Sequence, residues 1–346
     1  MKKSVRLTDT YFAAANGYDG FWSNFDKVFA PLELSKLYIL KGGPGTGKST
    51  LMKRIAEKFS GVASVTKILC SSDISSLDGV LIEKGGHTVG IADGTAPHVI
   101  EPRYPGVVER IINLADGFDY KALAGHRDTV LSLSEGKGKG YKRGYHALKS
   151  AGSIHKYICD VFLDNGIYKK AEMLAEDLLK DIPTGESAST SSAFFLSSFS
   201  KDGYKTLPIS DSEKRIVRIG TDGICGYTMM SVIYKNLAKR KVAARLYSSP
   251  LSSDLLDIIE TDEYVFLVGE MDDAHTYDIR LIVDTDEYSR LKEAYDEMMS
   301  EAKIGFAEAS RFHFALEDVY RENISFNSND KMREEIISDI VEVFDK

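Results

Sequence analysis

Cysteine is scarce in this chain. Among 346 residues there are three cysteines, Cys70, Cys159 and Cys225, which lie far apart in the sequence. An odd number at such spacing favours neither a disulfide framework nor a paired Cys-x-x-Cys metal site. We therefore expect a chain that works in a reducing compartment, with the cytoplasm as the default.

Long apolar runs and an excess of positive charge are also missing. No stretch approaches the roughly 20 apolar residues of a membrane-spanning helix, and the basic start leads into polar residues instead of an apolar signal segment. The formal net charge is -8, so the surface as a whole does not attract a phosphate backbone. We expect no membrane partner, and nothing in the sequence supports a nucleic-acid partner.

What is present is enough apolar sequence for a substantial core. Hydrophobic residues make up 43% of the chain and charged residues 28%, and the length predicts two domains of ordinary size.

The two halves resemble each other weakly. Residues 69–76 align with 246–253 (246 - 69 = 177), and residues 89–93 align with 266–270 (266 - 89 = 177). The constant shift favours an internal repeat.

We interpret the chain as two copies of one unit, residues 1–186 and residues 187–346. The junction lies near a Ser/Thr-rich stretch, and each copy ends in a charged segment with helical character. The predicted fold class is α/β, with one unit duplicated. Each unit is expected to be a mostly parallel sheet flanked by helices and followed by a helical extension.

A glycine-rich segment connects a predicted buried strand at residues 36–41 to a predicted amphipathic helix. Its spacing is Gly-x-x-x-x-Gly-Lys-Ser, from Gly42 to Ser49. Glycines let backbone N–H groups curl around phosphates at a helix N-terminus, and the lysine reaches the β- and γ-phosphates. The predicted nucleotide-binding residues are Gly42, Gly43, Pro44, Gly45, Thr46, Gly47, Lys48, Ser49 and Thr50.

A phosphate loop of this type works with Mg²⁺, which needs an acidic residue at the end of a neighbouring strand. Asp93 ends an apolar run and precedes a Gly-Thr turn. We assign it as a catalytic residue with Lys48 and as a Mg²⁺ ligand with Ser49. Asp73 is the alternative acid, and a turn-capping role for Asp93 stays open. Gly94 stands where many ATPases have a glutamate, so the water-activating base is unassigned.

Three further features have both a functional and a structural interpretation. His98 aligns with His275 (275 - 98 = 177) in a copy that lacks a working loop, which favours a structural role over a catalytic one. His155, in an apolar context, is interpreted as a buried structural histidine. The basic, glycine-rich residues 135–145 are typical of a solvated hairpin tip, and the alternative is a lid that clamps phosphate.

The second copy has lost the residues that bind phosphate. At a shift of 178 (220 - 42), residues 220–228 place Cys225 at Gly47, Gly226 at Lys48 and Tyr227 at Ser49. Without the lysine and the metal-binding hydroxyl, triphosphate binding there should be weak or absent. We interpret the second unit as a degenerate partner.

Residues 41–50, 70–79 and 93–98 together resemble a poorly characterised bacterial family of tandem P-loop ATPase-like proteins, found notably among Firmicutes. The resemblance covers most of the chain, and the Asp-Gly-Thr-Ala-Pro-His string at residues 93–98 is its most distinctive part. It implies an α/β fold of duplicated P-loop NTPase-type units and ATP binding, but no reaction or substrate. ATP over GTP follows from this resemblance, and no guanine-reading Asn-Lys-x-Asp motif is apparent.

The predicted function is therefore Mg²⁺-dependent ATP binding, by an ATPase or ATP-driven switch with one active and one degenerate site. Members of the family also have a recognisable second phosphate loop. Because this chain departs from that pattern, no mechanism with two working sites is expected. The alternatives are a small-molecule or nucleotide kinase and an ATP-binding module without turnover. The sequence identifies no protein partner and no acceptor.

Overall fold

The computed structural model describes residues 7–162, 165–209, 214–219, 223–268, 277–278 and 285–346. In the first half, the strands are β1 (Thr10–Phe12), β2 (Ala14–Gly17), β3 (Gly20–Ser23), β4 (Lys36–Lys41), β5 (Ser64–Leu69), β6 (Leu77–Lys84), β7 (His87–Asp93) and β8 (Glu109–Asn113). The helices there are α1 (Phe25–Val28), α2 (Lys48–Phe59), α3 (Tyr120–Gly125), α4 (Arg127–Phe162) and α5 (Asn165–Leu178).

The second half has the same kinds of element. Its described strands are β9 (Thr190–Ser191), β10 (Ser197–Ser200), β11 (Gly203–Thr206), β12 (Arg215–Ile219), β13 (Arg245–Ser248), β14 (Leu256–Glu260), β15 (Tyr264–Val268) and β16 (Tyr277–Asp278). Its helices are α6 (Gly223–Lys239), α7 (Asp286–Glu322) and α8 (Asn327–Phe344). Within the described ranges, no helix combines the length and apolarity that crossing a bilayer requires.

The protein is an α/β structure whose described residues form two six-stranded mixed sheets and two short antiparallel pairs, β2-β3 and β10-β11. The first sheet has the order β1-β5-β6-β7-β4-β8, and the second has the order β9-β13-β14-β15-β12-β16. In the first sheet β6 runs antiparallel to both of its neighbours, and the other strands run in one direction. In the second sheet β14 is reversed in the same way. The expectation of mostly parallel sheets therefore fails at these two strands.

The two sheets stack face to face. The side chains of β4 alternate, so Leu37 and Ile39 enter a core shared with Val265 and Leu267 of the second sheet, while Tyr38 points to the opposite face and packs against α2. This alternation is the period of two that a strand imposes. The result is two inner sheets with helices on both outer faces.

Each outer layer combines helices from both halves of the sequence. Helix α2 buries Leu51, Met52, Ile55, Ala56 and Phe59 against the first sheet, and Ile336 and Ile340 of α8 join the same core. On the other side, Ala171 and Ala175 of α5 pack in the core that contains α6 and the second sheet. Both helical extensions therefore cross to the opposite half.

The interior of α4 corrects the interpretation of residues 135–145. This segment is neither a hairpin tip nor a lid, because α4 continues through it and packs along α7. Gly136, Gly140 and Gly144 recur every four residues and face α7. A Cβ on Gly140 would lie 2.5 Å from the backbone nitrogen of Ala309. The glycines allow two helices to approach closely, and that packing outweighs their poor helix propensity.

Candidate functional site

The glycine-rich loop occupies the turn between β4 and α2, as predicted. Strand β4 ends at Lys41 and α2 begins at Lys48. Gly45 (φ 71°) and Gly47 (φ 87°) are in the left-handed region that other residues rarely adopt. At Gly45 a Cβ would also lie 2.6 Å from the backbone oxygen of Glu317. The loop can adopt this shape because Gly45 and Gly47 have no side chain.

Lys48 folds back over its own loop. Its ammonium nitrogen donates to the backbone oxygens of Gly42 (3.1 Å) and Gly43 (2.9 Å). The same nitrogen is 3.6 Å from Oδ2 of Asp93, and the lysine side chain is only 11% exposed. The lysine that the motif assigns to phosphate binding therefore holds its charge beside the loop carbonyls and Asp93.

Asp93 reaches this position because β7 is the parallel neighbour of β4, with Asp93 opposite Leu40. Its Oδ1 accepts hydrogen bonds from the backbone nitrogen (2.9 Å) and the hydroxyl (2.6 Å) of Thr95. The carboxylate thus caps a turn with one oxygen and faces Lys48 with the other. The alternative acid, Asp73, accepts from the backbone and hydroxyl of Ser75.

The remaining loop residues differ in their surroundings. The Ser49 hydroxyl accepts a hydrogen bond from the backbone nitrogen of Leu77 (2.9 Å), and Thr50 is exposed. No group of three His, Cys, Asp or Glu side chains in the described residues forms a metal cage. Mg²⁺ in nucleotide sites takes one or two protein oxygens and completes its shell with phosphates and water. The oxygen donors of Ser49 and Asp93 fit that pattern, and their role stays a prediction.

His98 lies behind Asp93. One ring nitrogen is 3.1 Å from the backbone oxygen of Asp93, the other is 3.3 Å from Oδ2 of Asp78, and the ring stacks on Phe25 at 4.2 Å. Burial acts to lower the pKa of His98, but the hydrogen bond to Asp78 and the charges of Asp78 and Asp93 outweigh it and raise the pKa. These contacts are those of a buried, structural histidine.

No sequence pattern points to the segment that covers the loop. The corner between α7 and α8 lies on it, and the Asn329 amide donates to the backbone oxygen of Thr46 at 3.3 Å. An ideal Cβ built on Gly43 would lie 3.8 Å from the Tyr320 ring. The corner is fixed to the first half by a backbone hydrogen bond from Ser325 to Gly117 (2.8 Å). These contacts join residues that lie between 208 (325 - 117) and 283 (329 - 46) positions apart, so no local motif could reveal them.

Two ionisable groups of α7 also belong to this site. His313 and Glu317 are 3.5 Å apart. Burial lowers the pKa of His313 to about 4, helped by the positive charges of Lys137 and Lys48. Burial raises the pKa of Glu317, opposed by Arg321, by the Gly45 N–H and by Lys48. The surroundings of the loop therefore include ionisable groups of α7, on which the charge of Lys137 from α4 also acts.

The corresponding place in the second half is filled with aromatic side chains. The Tyr227 hydroxyl donates to Asp257 (3.1 Å) and lies 2.9 Å from the Ser249 hydroxyl, and Tyr204 also donates to Asp257. Cys225 is buried against the Tyr288 hydroxyl at 3.4 Å. Residues 220–222 and His275, which entered the sequence comparison, lie outside the described residues.

His155 adds to this second cluster from α4. Its ring lies 5.9 Å from that of Tyr227 and its Nδ1 is 3.0 Å from the Tyr18 hydroxyl. It is buried, as predicted for a structural histidine.

Comparison of the chain with protein-family descriptions, with curated proteins and with solved structures gives no match.

Proposed function

We propose that this chain binds a nucleoside triphosphate with Mg²⁺, ATP by preference, on residues 42–50. We propose further that it acts as an ATPase or ATP-driven switch with one active and one degenerate site. One observation carries the proposal: Lys48 and Asp93 lie 3.6 Å apart at the glycine loop before α2, where two parallel strands end side by side.

The chemistry of this place suits an anion with a bound cation. The first N–H groups of α2 and the positive end of its dipole favour phosphate. Lys48 can exchange its hydrogen bonds to loop carbonyls for bonds to β- and γ-phosphate oxygens. Mg²⁺, held by Ser49 and Asp93, would neutralise charge on the phosphates. Asp93 would then serve the metal instead of Lys48.

The degenerate second site follows from an internal repeat, which we infer from strand order together with the sequence alignment. Every strand of the first sheet has a counterpart at the same place in the second sheet. Where the first half has Lys48 and Ser49, the second has Gly226 and Tyr227. Tyr227 is hydrogen-bonded to the buried Asp257 and so has no freedom to admit a phosphate.

A switch needs a route from the nucleotide to the rest of the molecule. The corner between α7 and α8 rests on the loop through Glu317 and Asn329. From that corner α7 runs back along α4 toward the second half. A phosphate that alters the loop would change the packing of this corner, and the helix pair would carry the change to the second sheet.

The test is calorimetry with Mg²⁺ and ATP, GTP or ADP. We expect one site per chain. Because Lys48 supplies two charge-assisted hydrogen bonds, Lys48→Ala should bind ATP at least about 100-fold more weakly. Lys58→Ala, on the exposed last turn of the same helix, is the matched control and should bind as the wild type does. Equal affinity of the Lys48 variant, or no binding by the wild type, would reject the proposal.

Turnover distinguishes the three candidate functions. An ATPase should release phosphate in water, and a kinase should consume ATP faster when its acceptor is added. A binding module should do neither. The segment at residues 137–143 lies inside α4, so the kinase alternative has no lid there to support it. Phosphate release that disappears in Lys48→Ala would favour the ATPase over both alternatives.

A further inference from the structure

One lysine of the basic segment in α4 differs from its neighbours. Lys139 pairs with Glu135 at 2.7 Å and Arg143 with Glu301 at 2.8 Å, and all four side chains are substantially exposed. Lys137 is half-buried. Within the described ranges its ammonium group has no hydrogen bond or ion pair, and its pKa is lowered by burial, with Glu317 acting in the opposite direction.

The packing of α4 on α7 determines where this lysine lies. Gly136, directly before it, faces the Phe312 ring, which an ideal Cβ would approach to 2.7 Å. One turn further, the Tyr141 hydroxyl donates to the Ser72 hydroxyl at 3.1 Å, in the segment that follows β5. Because residues four apart share a helix face, Lys137 is on the face of α4 that covers the strand ends.

The phosphate loop is reached from the same place through α7. Phe312 precedes His313, which is 3.5 Å from the Glu317 carboxylate. The Glu317 backbone in turn lies against Gly45 of the loop. The charges of both Lys137 and Lys48 act on His313. Two lysines, one from the loop and one from a long helix, therefore act on a single partly buried imidazole.

The balance of charges at the site indicates a role for Lys137. Lys48 already faces Asp93 at 3.6 Å, and the negative charges of Asp73 and Asp78 act on the same region. A triphosphate adds further negative charge, and one lysine with one divalent cation leaves its terminal group poorly neutralised. Lys137 is a half-buried ammonium on which one carboxylate, Glu317, acts, and it would supply the additional positive charge.

We propose that Lys137 is a second phosphate-binding residue, which contacts the terminal phosphate of the nucleotide bound on residues 42–50. The inference rests on the proposed function. It assigns the γ-phosphate end of the site to α4, a helix outside the loop motif, held in place by α7 of the other half. The site then distinguishes triphosphate from diphosphate through a group that only the assembled helix pair positions.

The experiment compares ATP and ADP affinities by calorimetry with Mg²⁺. Loss of one charge-assisted contact should make Lys137→Ala bind ATP about 10-fold to 100-fold more weakly. Its ADP affinity should stay within about twofold, since ADP lacks the terminal phosphate. Lys137→Arg, which keeps the charge, should recover part of the ATP affinity. Lys139→Ala, two residues along the same helix, is the control and should leave both affinities unchanged.

Two outcomes would overturn this role. Unchanged ATP affinity in Lys137→Ala would do so, and so would an equal loss for ATP and ADP with a lowered melting temperature, because that pattern is structural. If Lys48→Ala abolishes ATP binding while Lys137→Ala does not, only the inference about Lys137 fails. If the wild type binds no nucleotide, the proposed function fails and this inference with it.

Discussion

The two halves place very different side chains in equivalent positions of the same sheet topology. Before α2 the first half has a glycine loop with Lys48 and Asp93, whose side chains are 11% and 13% exposed. At the corresponding place in the second half, Tyr227 and Asp257 are buried and hydrogen-bonded to each other. The first arrangement pairs two opposite charges beside a glycine loop, and the second joins tyrosine hydroxyls to a buried acid. A few side chains, and not the backbone layout, decide which of the two a sheet end becomes.

The helix pair makes each place depend on the other half. Helix α7 brings His313 and Glu317 to the first site, and α4 brings His155 to the second. His313 stands among charged groups, whereas His155 packs among tyrosine rings. The comparison therefore predicts that substitutions at the first site change ligand binding, and that substitutions at the second change stability.

The largest effect on the first site is expected from Asp93→Asn. An asparagine keeps an oxygen for Thr95 but removes the charge that faces Lys48 and would hold Mg²⁺. We expect Mg²⁺-dependent turnover to fall by about 100-fold or more, the scale of losing one preorganised electrostatic group. Steady-state phosphate release at several Mg²⁺ concentrations measures it.

Asp73→Asn is the matched control, because Asp73 is the other acid that the sequence offers. It caps a turn through Ser75, so its variant should keep turnover near that of the wild type. The reverse result, with Asp73 essential and Asp93 dispensable, would exchange the two assignments.

A second prediction breaks the connection between the halves. Gly140→Ala places a Cβ 2.5 Å from the backbone nitrogen of Ala309, which cannot rotate away as a side chain would. We expect a loss of about 3 kcal/mol in the free energy of unfolding, at the upper end for overpacking. Urea denaturation monitored by circular dichroism measures it.

The same substitution two residues earlier should have the opposite sign. An added Cβ at Gly138 meets nothing within 4 Å, so Gly138→Ala should stabilise α4 by about 0.5–1 kcal/mol through helix propensity. If both variants changed stability equally, the close approach of α4 and α7 would be wrong.

The third prediction concerns the second site alone. Tyr227→Phe keeps the ring and removes the hydroxyl that contacts Asp257 and Ser249. Asp257 is fully buried, and burial raises its pKa while these hydrogen bonds oppose that shift. Leaving it short of a donor should cost about 1–3 kcal/mol of stability. Nucleotide affinity should not change, and a changed affinity would show that the second half takes part in binding.

The sequence predicted the local part of the candidate site well. The strand at residues 36–41 matches β4, and the buried face of α2 follows the helical period. Asp93 could be placed beside the loop because an apolar run that ends in an acid is typical of a strand next to the phosphate loop. These are short-range patterns, and local rules govern them.

The sequence could not predict what tertiary packing decides. Asn329 contacts Thr46 across 283 residues of sequence, and no motif marks Asn329. The local preference of glycine favours a solvated hairpin tip at residues 135–145, whereas the close packing of two long helices determines their structure. Spacing of glycine at every fourth residue was the signal that could have revealed a helix, because it aligns small residues on one face.

The smallest expected effect is on the pH dependence of folding stability, to which His313 and His98 should contribute with opposite signs. The pKa of His313 is lowered to about 4, against about 6.5 in an unfolded chain. As the pH falls from 6.5 towards 4, the unfolded state takes up a proton first, so the folded state loses stability. The pKa of His98 is raised, so its contribution is fully present below pH 6.5 and is lost as the pH rises through the folded pKa.

Urea denaturation of the wild type, His313→Gln and His98→Gln at pH 5, 6 and 7 tests this difference. Relative to His313→Gln, the wild type should lose stability on going from pH 7 to pH 5, because the glutamine takes up no proton in either state. Relative to His98→Gln, the wild type should gain stability over the same interval. Shifts of the same sign for both variants would contradict the balance of causes at these residues: burial, aided by Lys137 and Lys48, lowers the pKa of His313, whereas at His98 the effects of Asp78 and Asp93 outweigh burial.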